Sequence, residues 1–273
     1  MEKPYLFGIH AEPPEALVWV YRALPFVIVL MAYSMLSMTY LAENPGGKLF
    51  PSFTMMGMRL WDLAFSFDAR TQTYLLWADT YTSLFRFGMG LALGAALGLL
   101  IGVNMALFPG MRYMLLPFVT AVSNIPTLAL LPLILLAVGI GDMAKVTLIF
   151  LGVVFYIARD MYTSVSELPE ELLVKARTLG ASQLGLVYRV VLPMVMPRLF
   201  EAVRLSLGIA WWSLIASEGI AATEGLGYRI FLMRRYLDMA GIIPYVVWIT
   251  LLAFTINYAL VYAQRYLYPW KQE

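Results

Sequence analysis

Apolar runs of about twenty residues, the length that crosses a bilayer as a helix, recur near 17–41, 83–108, 113–138, 143–165, 194–220 and 242–264. A chain patterned this way has few soluble solutions, because no single aqueous core buries six such runs. Composition agrees. Charged residues are 13% of the 273, against about a quarter in a typical soluble domain, and apolar residues reach 61%. The expected fold is therefore all-α and integral to the membrane, with about six spanning helices and the lipid bilayer as solvent. A formal net charge of +2 points to no nucleic-acid partner. With no cysteine, disulfides and thiolate chemistry are excluded, and with one histidine, His10, a zinc centre is not expected. The start, through Val20, has no short apolar core followed by small residues, so the first run is expected to stay as an anchor.

This patterning divides the chain into a cytoplasmic leader (1–16), a first span (17–41), an extracytoplasmic or interfacial segment (42–82), a core of five further helices (83–265) and a tail (266–273). The 42–82 segment is too polar to span and, with Trp61, Phe65, Phe67 and Trp77, too aromatic for a free linker. In the second run Gly90, Gly94 and Gly98 fall every fourth residue, a face that lets another helix approach closely. The third run contains Pro117, Pro126 and Pro132. Around Pro126 sit Ser123, Asn124 and Thr127, spaced for one helical face. A broken helix at membrane depth is tolerated against protein or a water-filled cavity, so these three are pathway candidates. In the fifth run Glu201, Arg204, Trp211 and Glu218 share a face, with Glu201 and Arg204 spaced to pair. Charges within a span face the bundle interior or water, which makes Arg204, Trp211 and Glu218 candidates for a pathway or gate, or alternatively interhelical ties. Arg229, Arg234 and Arg235 in an outer loop could attract an anion, or face headgroups or a partner. Arg112, Lys175, Arg177, Arg189, Arg265 and Lys271 fall on the side taken as cytoplasmic, Lys48, Arg59 and Arg70 on the other with the loop arginines.

Between the fourth and fifth runs, Pro169 followed by Glu170 and Glu171 suits a helix start. Leu172, Leu173, Ala176 and Leu179 make an apolar stripe, and Glu171, Lys175 and Arg177 face away. Gly180 can end that helix in a left-handed turn, and after Ala181, Ser182 can cap a second short helix reaching about Tyr188. Two short amphipathic helices at about 168–189 outside the membrane form a docking surface.

Here the sequence resembles the type I permeases of binding-protein-dependent importers, whose cytoplasmic signature reads Glu-Ala-Ala, three free residues, Gly, nine free residues, an aliphatic, one free residue, Leu-Pro. Ala176, Gly180, Val190, Leu192 and Pro193 match it, while Val174 and Lys175 depart from its Glu and first Ala. Leu49–Ser52, Ile125–Leu133, Val138–Asp142 and Ala221–Tyr228 are similar, in order, to segments of the nitrate/sulfonate/taurine/bicarbonate branch. The resemblance implies a bacterial inner-membrane subunit that forms a pathway for a small solute, an oxyanion or sulfonate. It implies a dimer of ATP-binding-cassette ATPase subunits as partner, docked through Leu172, Leu173, Lys175, Ala176, Arg177, Leu179, Gly180, Ala181 and Ser182. It further implies an extracytoplasmic binding protein and a second permease copy, most often identical. No cofactor is expected on this chain; ATP and magnesium would sit in the ATPase, and the permease itself would not be an enzyme. The competing reading is a secondary transporter or channel subunit, which explains the spans but needs no docking unit and usually shows paired repeats with two interrupted helices. A membrane-embedded enzyme lacks a base or metal ligands within the spans.

Overall fold

The computed structural model describes residues 14–69 and 71–271, so His10, Arg70 and most of the 1–16 leader lie outside the described residues. Eleven α-helices follow one another, among the described residues: α1 (Glu15–Glu43), α2 (Phe53–Phe65), α3 (Leu75–Leu107), α4 (Pro109–Ser123), α5 (Leu131–Val138), α6 (Asp142–Ser166), α7 (Glu170–Thr178), α8 (Gln183–Leu186), α9 (Leu192–Ala221), α10 (Leu226–Arg235) and α11 (Met239–Leu267). Five helical stretches are long and apolar enough to cross a membrane, and the pair Pro109–Ser123 and Thr127–Val138, bent by 92°, supplies a broken sixth.

The core is a parallel pairing of α3 and α6, with α9 packed antiparallel against both. Glycine makes the first contact possible. A Cβ on Gly90 would lie 2.7 Å from the Ile149 side chain, and one on Gly98 2.8 Å from that of Ile157. One on Gly102 would lie 2.5 Å from the Ala158 carbonyl oxygen, and Gly94 is as tightly closed by Val153. Each step of four along α3 thus meets a step of four along α6. In lipid, where burial drives no association, this backbone approach gains its stability from dispersion contacts. Phe87 stacks on Trp211 at 4.4 Å between ring centres and closes the seam against α9.

The second span begins at Leu75, eight residues before the apolar run from 83, because the polar residues Asp79, Thr80 and Ser83 are buried rather than solvated. The aromatic segment ahead of it folds into α2, capped by the Ser52 hydroxyl accepting from the Met55 amide. Trp77 donates its indole N–H to the Ala64 carbonyl and meets Trp248 of α11 edge-on, so α2 packs onto α3 and α11. α1 touches the rest mainly at its C-terminal half. There Tyr33 and Ser37 donate to the carbonyls of Pro51 and Phe50, and most of its apolar residues are exposed.

Candidate functional site

Three places carry chemistry or contact surface. The first is the turn after α6. Pro169 precedes α7, whose first turn holds Glu170 and Glu171 and whose last turn holds Lys175 and Arg177, each charge matched to the helix dipole. Gly180 takes φ +83°, and the Ala181 amide reaches back to the Ala176 carbonyl, a left-handed stop that needs glycine. Ser182 then caps α8 by accepting from the Gly185 amide at 3.1 Å. α8 does not stop near Tyr188, as the sequence pattern suggests. It passes through a π-helical turn (Val187–Val191) directly into α9, so α8 and the fifth span are one continuous element, with α7 set off from it by the Gly180 stop.

The apolar stripe of α7 splits in two. Leu173 joins a small core with Val103, Val165, Val191 and Val195, and Ala176 is half-buried. Leu172 stays exposed and Leu179 is 88% exposed. Leu184 on α8 is exposed beside them. One face therefore anchors the segment to its own bundle and the other presents leucines that nothing in the described chain covers.

The second place is a cavity of about 470 Å³ at the broken span. Ser123, Asn124 and Thr127 all line it, although they share no helical face: α4 ends at Ser123 and the chain turns through Asn124–Pro126 before a 3-10 turn starts at Thr127. The break, rather than helical spacing, brings the three together. The opposing wall comes from Leu151, Gly152, Phe155 and Tyr156 of α6, and the floor from Gly208, Ile209, Trp212 and Ser213 of α9.

The third place is a buried ionic cluster where α3 and α6 begin and α9 ends. Arg86 is almost wholly enclosed and donates to Glu218 at 2.8 Å, to Asp142 at 2.8 Å and to the Glu224 carbonyl at 3.0 Å. Glu218, fully buried, also accepts from Ser83 at 2.8 Å and from the Gly227 amide at 2.9 Å, at the N-terminus of α10. Gly225 holds φ +113°, and a Cβ there would lie 2.5 Å from the Glu218 carboxylate, so both backbone and space require glycine. Asp79 accepts from Arg229 at 2.7 Å, from the Tyr245 hydroxyl at 3.1 Å and from the Gly225 amide at 3.0 Å. Burial works against the Arg229 charge and the Asp79 carboxylate more than offsets it, holding that guanidinium above its ordinary pKa.

A pair of short helices bounded by Gly180 after the fourth span, a broken span over a cavity, and parallel α3 and α6 with α9 against them form one arrangement, and residues 90–273 match the family described as "Binding-protein-dependent transport system inner membrane component". The chain belongs to that family. It is 32% identical over 198 residues to the taurine transport system permease protein TauC of Escherichia coli (strain K12), covering 72% of each chain. It is 27% identical over 223 residues to the putative aliphatic sulfonates transport permease protein SsuC of the same strain, covering 81% of each. Among solved structures, the fold is similar to a chain of the MetNI methionine ABC transporter in an inward-facing conformation, with TM-score 0.62 and 22% identity over 72% of this chain and 98% of that one. A chain of an amino acid ABC transporter gives TM-score 0.57 at 17% identity, over 80% and 97%. The all-α membrane fold is thus that of type I importer permeases, and the protein is an inner-membrane transport component.

In this permease the structure redistributes the residues singled out from sequence. Arg204, Trp211 and Glu218 do not line the cavity; the face of α9 that does carries 208, 209, 212 and 213. Trp211 lies in the helix core, Glu218 in the ionic cluster, and Arg204 donates to Asn257 of α11. The expected Glu201–Arg204 pair is replaced. Glu201 accepts from Arg198 at 2.8 Å and from Gln264 at 3.1 Å, and Arg198 also pairs with Asp160 of α6. Arg229 is committed to Asp79, which leaves Arg234 and Arg235 as the exposed arginines of that loop.

Sequence reasoning missed Arg86, Asp79, Tyr245 and Ser213. Arg86 was legible in principle: a lone arginine in the 83–108 run requires a partner, and Glu218 was the available buried carboxylate.

Proposed function

We propose that this permease forms the translocation pathway of an ATP-driven importer for small organic sulfonates. Its relatives named for taurine and aliphatic sulfonates support that solute class. The observation that carries the ATP-driven part of the reading is the α7–α8 segment, with Leu172, Leu179 and Leu184 exposed around Gly180. Exposed leucines on a short rigid element outside the bundle are the usual chemistry of a docking knob. The partner is a dimer of ATPase subunits that bind ATP and magnesium, each with a groove for this segment. Lys175, Arg177 and Ser182, all exposed, rim the contact, and Ala181 sits at its turn. Val174 and Lys175, where the family signature has Glu and Ala, are exposed as well and alter the polarity of that rim. A second copy of the permease completes the pathway, and an extracytoplasmic binding protein delivers the solute. ATP binding and hydrolysis bias a two-state membrane element through the docking segment, and the permease breaks no bond itself.

Co-purification tests this. The tagged permease, expressed in its native host, retains an ATP-binding-cassette ATPase, and Leu172→Asp/Leu179→Asp abolishes retention while the permease stays monodisperse in detergent. A wild-type permease that never retains an ATPase, yet moves solute in proteoliposomes, overturns the reading in favour of a secondary transporter.

A further inference from the structure

The cavity at the broken span has no charged side chain among its lining residues, which mix hydroxyl and amide groups with aliphatic and aromatic ones. Ser213 lies at its floor, 1% exposed, and its hydroxyl has no hydrogen-bond partner in the described chain. It is one of three such buried atoms among the described residues, with Trp211 Nε1 and Arg112 Nε, and the only one of them in a residue that lines the cavity. An orphan of this kind calls for a ligand or a second state. Gly152 lets these groups crowd together: a Cβ on it would lie 3.3 Å from the Ile209 side chain and from both the Ser213 and Thr127 hydroxyl oxygens. Two hydroxyls therefore converge over a bare glycine. Asn124 already donates one amide hydrogen to the Thr120 carbonyl at 2.7 Å and keeps a second.

We infer that Thr127 and Ser213, over Gly152, are a seat within the permease for the anionic head of a small organic oxyanion, with its carbon chain against Phe155 and Ile209. The inference deepens the proposed function and rests on its pathway reading. Neutral donors suit a waypoint. They replace part of the hydration of a sulfonate, and without a cationic side chain they do not hold it strongly, which a site that must also release requires. The apolar lining residues Phe155 and Ile209 distinguish an organic sulfonate from a bare inorganic oxyanion, whose every face demands hydration. A cation finds no carboxylate here.

The natural chain has no cysteine, so single-cysteine variants report directly. In the complete complex with ATPase and binding protein, Thr127→Cys and Ser213→Cys are labelled with methanethiosulfonate reagents that carry either a sulfonate or a quaternary ammonium group. The sulfonate reagent is expected to react faster than the cation, and millimolar taurine to slow it, whereas nitrate does not. In parallel, Thr127→Val/Ser213→Ala lowers ATP-driven taurine uptake by roughly tenfold, as expected for two lost hydrogen bonds. Equal reaction of both reagents without protection by taurine, in a complex that hydrolyses ATP on addition of its binding protein, overturns the seat alone. A wild-type complex that never hydrolyses ATP in response to the binding protein brings down the importer reading, and the seat with it.

Discussion

Where α3 and α6 begin, Arg86, Asp79, Glu218 and Arg229 are buried against one another and every carboxylate has several donors. Where α6 ends, the charges of α7 point outward and its leucines divide between an inner anchor and an open surface. The same residue types serve opposite ends. Charges taken out of water must be fully paired, and such pairing ties α3, α6, α9 and α10 into one block. Charges left in water contribute little to stability, which leaves that surface free to be selected for a partner. The bundle is fixed at one end and available at the other.

The sharpest way to break this contrast is to uncouple the buried end. Glu218→Ala removes the fully buried partner of Arg86, leaving it the more exposed Asp142 and Glu224, and is expected to destabilise the permease by about 3 kcal/mol, read as loss of the monodisperse peak in detergent or a large fall in thermal midpoint. Arg86→Met/Glu218→Leu, which removes both charges, recovers much of that loss if pairing rather than packing is what matters. Next comes the seam. Gly94→Leu/Gly98→Leu drives side chains into Val153 and Ile157 and costs about 1–3 kcal/mol per site, again visible in the thermal midpoint. Asp79→Asn leaves Arg229 and Tyr245 with a weaker acceptor; about 1–3 kcal/mol is expected, with the same readout. At the open end, Leu172→Asp/Leu179→Asp changes the melting of the isolated permease by no more than about 0.5 kcal/mol while abolishing ATPase retention. A large stability loss from this last pair would mean that the exposed leucines belong to the fold.

How legible these features were follows from their physics. The spans, the glycine face and the Gly180 stop are local, and each imposes a period or a backbone angle that a single sequence carries. The boundary at Leu75 was hidden because Asp79 and Ser83 look solvated until their partners, about 150 residues later, are known. On α9 a similar limit applies. Spacing put Arg204, Trp211 and Glu218 on one face, but hydropathy gives no account of whether such a face meets another helix or a cavity. The cavity lies on the face with 208, 209, 212 and 213. Ser213, the residue at the cavity floor, is one serine among several on α9, and its lack of a partner is visible only in three dimensions. The 92° break was signalled by Pro126, yet the proximity of Ser123 and Thr127 comes from the bend and not from helical periodicity.

The π-helical turn at Val187–Val191 makes α8 the outer end of one long arm with α9. From Val187 to Ser213 a helix rises about 39 Å, so a tilt of one degree at that end carries the floor of the cavity sideways by about 0.7 Å. Ten degrees is about 7 Å, more than the width of a sulfonate group. The wider π turn sits at the base of that arm, a form found mostly as single-turn insertions at functional sites. Gearing of this kind would let a small rotation outside the bilayer open or close a passage half a membrane away.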